Sequence, residues 1–261
     1  MSLTEKDYVQ FEEEQHEDTL STYTALLMLL DACHADINRD LAEFYRKYGT
    51  DGVITYNEAR KWAGANDHRK RMVVIFMAIA MAIGGLFDNM RPVAEKHFRS
   101  VVENEFKLHG VPLTEELTEK ILSTKWEHSY GDDTWDGRLD GYEDRWTLLL
   151  NNDLKTAFHT KNDIDDMVDD YNIRFDSMGR ILRKFLITET TAVDILARRE
   201  IFKQAGVGKY RWYTRMDERV CAECGELHGI TFPMSAYQLG VTAPPRHEFC
   251  RCFIMPVNQI R

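Results

Sequence analysis

Apolar residues recur at three- and four-residue spacing through most of the first 205 positions, the period that places them on one face of an α-helix. Thr22 to Tyr45 carries Leu26, Leu29, Leu30, Cys33, Ile37, Leu41 and Phe44 on one such stripe, and Cys33 there reads as a small core residue rather than a nucleophile. Thr55 with Glu58 has the spacing of a capping box and predicts a helix start. Met72 to Phe87 is unbroken apolar sequence. A helix of that length rises about 24 Å, short of the roughly 30 Å hydrocarbon core of a bilayer. It is therefore expected as a buried helix with no membrane partner, and the basic run His68 to Arg71 before it carries the alternative of an anchor.

The helical pattern continues past Pro92 and stops at Gly110, and Thr114 starts another helix. Gly131 to Gly141 reads as a loop, followed by helices from Glu143 to about Phe158 and from Ile164 to Ala205, the last interrupted near Ser177, Met178 and Gly179. Gly206-Val207-Gly208 ends the helical part. Beyond it Tyr210–Thr214 and Cys252–Val257 have the β-branched and aromatic character of short strands. Pro233, Pro244, Pro245 and Pro256 mark that region as loop-rich. The predicted fold class is α+β: a mainly helical region over residues 1–180, then a small zinc-stabilised module over 181–261 with short β-strands.

Composition refines this picture. At 44% hydrophobic and 11% aromatic over 261 residues, the chain can bury a substantial core and is not a disordered one. The net charge of -10 is unevenly spread: residues 1–179 hold 20 Lys and Arg against 35 Asp and Glu, a net of -15, whereas residues 180–261 hold 13 against 8, a net of +5. The two parts therefore call for different electrostatic partners. The acidic, polar N-terminus has neither a basic nor an apolar leader segment, so synthesis in a reducing cytoplasm is expected.

Within the C-terminal part, Cys221, Cys224, His247, Cys250 and Cys252 fall inside 32 residues. Cys-x-x-Cys wraps two thiolates around one tetrahedral ion, and Cys250-x-Cys252 on an extended strand points both sulfurs to one face. A structural zinc is the expected occupant, held by the four cysteines or with His247 replacing one of them; His228 is a weaker candidate. Disulfides fit poorly with a reducing compartment, a redox pair lacks its βαβ setting, and a zinc deaminase would need the histidine and cysteine elements in the opposite order.

Asp132, Thr134, Asp136, Gly137, Asp140 and Glu143 occupy the ligand and glycine positions of an EF-hand-like loop, which makes calcium at Asp132–Glu143 an alternative occupant; the competing reading is an acidic turn that caps a helix. A basic set, Arg180, Arg183, Lys184, Arg198, Arg199, Lys203, Lys209, Arg211, Arg215 and Arg219, is interleaved with Tyr210, Trp212 and Tyr213 and can meet a nucleic-acid backbone or pair with the chain's own acids. There is no phosphate-binding loop, no Gly-x-Ser-x-Gly and no triad, and no enzyme is expected.

Taken in order, Tyr210-Arg-Trp212-Tyr-Thr-Arg-Met-Asp217-Glu-Arg219-Val-Cys221-Ala-Glu-Cys224, then Leu227-His-Gly229-Ile-Thr-Phe232-Pro233, then Pro244-Pro245-Arg-His247-Glu-Phe-Cys250-Arg251-Cys252, resemble the head-morphogenesis domain of phage Mu protein F-like minor head proteins. Trp135-x-x-Arg138-Leu139 resembles a further segment of those proteins. Thr188-Glu189-Thr190 lies where they have an Arg-Thr-Glu helix motif, with Ile187 in place of the arginine. The resemblance implies a minor head protein of the virion that associates with the portal protein and other head proteins during assembly, and that contacts double-stranded DNA during packaging or ejection. A zinc-ribbon nucleic-acid-binding protein is the alternative.

Overall fold

The computed structural model describes residues 3–51, 53–54, 66–128, 131–160, 163–215 and 217–257; the capping box at Thr55 and Glu58 lies outside them. Among the described residues four long helices dominate: α1 (Glu5–Tyr48), α2 (Asn66–His109), α4 (Trp135–Thr160) and α5 (Ile164–Gln204), with the shorter α3 (Glu115–Leu122) and α6 (Ala222–Leu227). β1 (Trp126–His128) and β2 (Gly131–Asp133) pair as an antiparallel hairpin. β3 (Lys209–Tyr213) is the middle strand of an antiparallel sheet ordered β4-β3-β5, with β4 at Thr231–Pro233 and β5 at Phe253–Pro256. The protein is thus mostly helical with a small three-stranded sheet near its C-terminal end.

Local chemistry explains the boundaries. Thr114 caps α3 by accepting a hydrogen bond from the Leu117 N–H at 3.3 Å. Thr134 does the same for α4, accepting from the Gly137 N–H at 3.1 Å. A Cβ at Gly137 would meet the Asp133 carboxylate, which would have to turn aside. The capped helix corrects the calcium expectation. Helix geometry begins at Trp135, so Asp136, Asp140 and Glu143 lie along a helix rather than around a loop that encircles a cation, and Asp140 pairs instead with Arg91 at 2.7 Å. The predicted break at Ser177–Gly179 is also absent. One glycine costs a helix about 1 kcal/mol, and burial of the flanking Phe175 and Met178 outweighs it.

Packing divides the chain into two compact units, each assembled from segments distant in sequence. One comprises Ala25–Pro92 and Leu139–Ile181. Its core is made by helical stripes: Leu26, Leu30, Cys33, Ile37, Leu41 and Phe44 from α1, and Ile75, Ile79, Ile83 and Leu86 from α2, are all buried. Phe87 packs on Trp146, Tyr45 on Phe158, and the Tyr171 hydroxyl donates to the Leu150 carbonyl at 2.8 Å. The Cys33 thiol lies in this core and donates to the Ala82 carbonyl. The apolar stretch of α2 has a window of mean hydropathy 1.9 that meets the length and composition of a membrane span. It is two-faced: its isoleucines are buried while Val74, Met77 and Met81 are exposed.

The other unit comprises Met1–Thr24, Val93–Arg138 and Leu182–Arg261. Phe98 lies against Trp135 and Phe185, and Tyr8 stacks on Phe253. Arg198, counted by sequence among cations that could reach DNA, is fully buried here. It donates to the Ile254 carbonyl at 3.2 Å and to Glu105 at 2.6 Å, and also pairs with Glu12 and Asp194. Its role is internal because three buried carboxylates need a cation among them. Burial, opposed by Arg198, still pushes the Glu12 carboxyl up to about 7.

Candidate metal centre

Each element of the C-terminal sheet helps to place the cysteines. Trp212 on β3 is fully buried and forms a small core with Cys224, Cys250 and Cys252, to which Val220, Leu227 and Phe232 add partial cover. α6 begins at the knuckle: Cys221 is its cap residue, and its sulfur accepts from the Cys224 N–H at 3.4 Å. The return strand approaches through Phe249, which takes a left-handed backbone with φ of 61°. That turn lets His247 and Cys250 face the knuckle from one short segment, at the expense of a conformation disfavoured for a residue with a Cβ.

All five sequence-predicted ligands converge. The Cys221 sulfur lies 3.1 Å and the Cys224 sulfur 3.3 Å from His247 Nε2, and the Cys224 and Cys250 sulfurs are 4.0 Å apart. The donor atoms fall into two overlapping groups, Cys221–Cys224–His247 and Cys224–Cys250–Cys252, and within each every donor lies within 4.8 Å of the others. Two thiolates on one tetrahedral zinc stand about 3.8 Å apart, so the spacing suits a single soft cation with Cys224 central to either choice. His247 Nδ1 is 2.7 Å from the Glu248 carbonyl. A proton held there leaves the lone pair of Nε2 directed at the space shared with the sulfurs, the arrangement in which a backbone carbonyl orients a histidine ligand. The five cysteines are free thiols. His228 is engaged elsewhere: its Nδ1 accepts from the Thr214 N–H at 3.2 Å.

The electrostatics favour thiolate at Cys250 and Cys221 and the neutral thiol at Cys224 and Cys252, where hydrogen bonding and charge from Cys250 raise both groups. Hydrogen bonding from Cys224 and Cys252 holds the Cys250 thiol well below its ordinary value. Interaction with Cys250 pushes His247 up to about 9 against the opposing effect of burial. At Cys221 burial is outweighed by the Cys224 N–H and by His247, and the thiol is lowered. A site with shared protons and little exposed surface is chemically suited to exchange those protons for a cation.

Sequence reasoning missed the threonine supports, whereas a structural pairing of Asp217 with Arg251 was expected. Thr188 accepts from the Phe249 N–H at 3.1 Å and Thr191 donates to the Cys250 carbonyl at 2.8 Å, so α5 holds the segment that carries Cys250. Thr214 donates to the Cys224 carbonyl at 2.8 Å. Asp217 and Arg251 make a two-pronged pair, both bonds 2.7 Å. Glu189, in the motif that has Ile187 in place of an arginine, is paired with the Arg138 guanidinium from α4.

Residues 158–255 match the family model described as phage Mu protein F like protein. This is a phage Mu protein F-like segment. It runs from the end of α4 through α5 and the sheet, and includes every cysteine and histidine of the centre. No curated protein and no solved structure matches the chain. The Mu F-like match supports a phage head-related protein, of a family that is structural rather than enzymatic.

Proposed function

We propose that the chain is a minor head protein that acts in head assembly at the portal, is non-enzymatic, and carries a structural zinc in the Cys/His centre. The observation that supports it most is the convergence of Cys221, Cys224, His247, Cys250 and Cys252 within the Mu F-like segment, tied to α5 by two threonines. Zinc in that place fixes the loops around Trp212, Asp217 and Arg251 into one surface. The acidic helices and the basic module then offer complementary surfaces to the portal and other head proteins, and to DNA during packaging or ejection. On this reading residues 181–261 are the assembly module, and the protein ends in the virion after synthesis in the host cytoplasm.

Co-expression with the cognate portal protein tests the assembly reading. Stable co-purification, lost when the metal centre is broken by Cys224→Ser, is the expected result; a portal that never binds the intact chain overturns it. Elemental analysis of reduced protein tests zinc separately, with one equivalent expected and none sinking the metal.

A further inference from the structure

The basic set read from the sequence does not form one charged face. Lys184 pairs with Glu248, Arg199 and Lys203 with Glu200, and Arg198 is buried among its carboxylates. Arg215 is different. It has no hydrogen-bond or ion-pair partner among the described residues, and its Nε is buried without an acceptor. A buried donor left unsatisfied costs about 1–3 kcal/mol, so Arg215 is held in place for something other than an internal bond.

Arg215 lies where two adjoining depressions meet. One is lined by Arg215, Arg219 and Arg251 together with Cys221, Cys224 and His247 of the cysteine centre; the other by Arg215, Arg251, His16, Thr191, Glu12 and Asp194. Arg251 is paired through both terminal nitrogens with Asp217, which also accepts from the Arg219 N–H, and Arg219 is exposed. Glu12 and Asp194 face Arg198, which they share with Glu105. The convergence is visible at His16, whose imidazole is held below its usual value first by burial and then by the positive field of Arg215, Arg251, Arg183 and Arg219.

We propose that Arg215, Arg219 and Arg251 form a phosphate-oxyanion site, whose ligand is the phosphodiester backbone of a nucleic acid or free phosphate. Asp217 occupies the fork of Arg251; the guanidiniums of Arg215 and Arg219 beside that pair leave N–H donors for the oxygens of a phosphate. The site deepens the DNA contact of the proposed function and rests on that part of it, not on the portal or the zinc.

The test is binding of a short labelled DNA duplex to the full chain across a salt series, alongside stabilisation by inorganic phosphate in a thermal melt. Arg215→Gln with Arg219→Gln should lower the slope of log affinity against log salt by about 1 per arginine and abolish stabilisation by phosphate. Arg199→Gln, which removes one positive charge from an internally paired residue, should leave both unchanged. Because neither guanidinium makes an internal hydrogen bond or close ion pair among the described residues, and Arg215 and Arg219 act on Glu12 and Asp217 only through their fields, the paired variant is expected to melt within a few degrees of the parent. Phosphate stabilisation without duplex binding, lost in the variant, supports the site and names free phosphate as its ligand. Duplex binding that the variant does not weaken, or that Arg199→Gln weakens equally, overturns the site while leaving DNA contact standing. Binding of neither probe by the parent chain overturns both, and displacement of duplex by a poly-glutamate peptide but not by phosphate overturns the choice of phosphate.

Discussion

Arg138 and Glu189 form a two-pronged buried ion pair, with Arg138 Nε 2.6 Å from one carboxylate oxygen and a terminal guanidinium nitrogen 2.9 Å from the other. Trp126 completes it: its indole N–H donates to Glu189 at 3.2 Å, and its ring lies 4.7 Å from the guanidinium carbon. Arg138 also donates to the Trp126 and Asp133 carbonyls, so one side chain ties the β1–β2 hairpin to α5. Glu189 is next to Thr188, which anchors Phe249, so the pair lies one residue from the support of the metal centre.

Breaking that pair should be costly. Removing one partner of a buried, hydrogen-bonded pair leaves an uncompensated charge and typically costs about 3–5 kcal/mol. Arg138→Met is therefore expected to lower the midpoint of chemical unfolding strongly, whereas Arg138→Met with Glu189→Leu should recover much of the loss. Equal stability of the single variant and the parent would show that the pair contributes nothing.

The overlap of the two donor groups at Cys224 makes the ligand set testable. Cys224→Ser should eliminate bound metal, because it removes a donor common to both groups. Cys252→Ser and His247→Ala then divide the alternatives: the one that retains a full equivalent by elemental analysis is not a ligand. Chelation of the parent chain should lower its melting temperature and loosen the region around Trp212, read as a shift in tryptophan fluorescence.

Phe249 adopts a left-handed backbone while its side chain is 43% exposed. Phe249→Gly removes the steric cost of a Cβ at positive φ, about 1–2 kcal/mol, and keeps the N–H that Thr188 accepts, but gives up the burial of more than half of the ring, about 2–3 kcal/mol. A net loss of about 1 kcal/mol is expected in equilibrium unfolding; a gain would mean that the backbone strain outweighs the burial.

His97 is buried among Thr19, Thr22 and Thr190, and burial pushes its imidazole down to about 4 from 6.5. The unfolded chain takes up this proton near pH 6.5 and the folded chain only near pH 4. The contribution of His97 is thus fully present above pH 6.5 and lost as the pH falls toward 4, about 3 kcal/mol in all. NMR of the histidine rings should show His97 unchanged between about pH 7 and 5.5 while exposed histidines titrate. A midpoint near 6.5 for His97 would contradict its burial.

Local order was decided by the sequence. The apolar spacing of Leu26, Leu30, Cys33 and Ile37 requires a helix because the α-helical repeat puts those positions on one face, and the capping role of Thr114 follows from its hydroxyl beside a free N–H. The Cys/His cluster was legible for the same reason: its ligands are close in sequence, so their spacing alone restricts what they can surround. Tertiary structure decided what depends on distant partners. Asp136, Asp140 and Glu143 have a calcium-binding spacing but lie on a helix, because Thr134 caps it at Trp135. Arg198 has the charge of a DNA-binding residue but lies in the core, because Glu12, Glu105 and Asp194 come from three segments that only folding brings together. The guanidinium that meets Glu189 is that of Arg138, 51 positions away. Charge interacts through space, and a linear pattern records only neighbours within a turn or two.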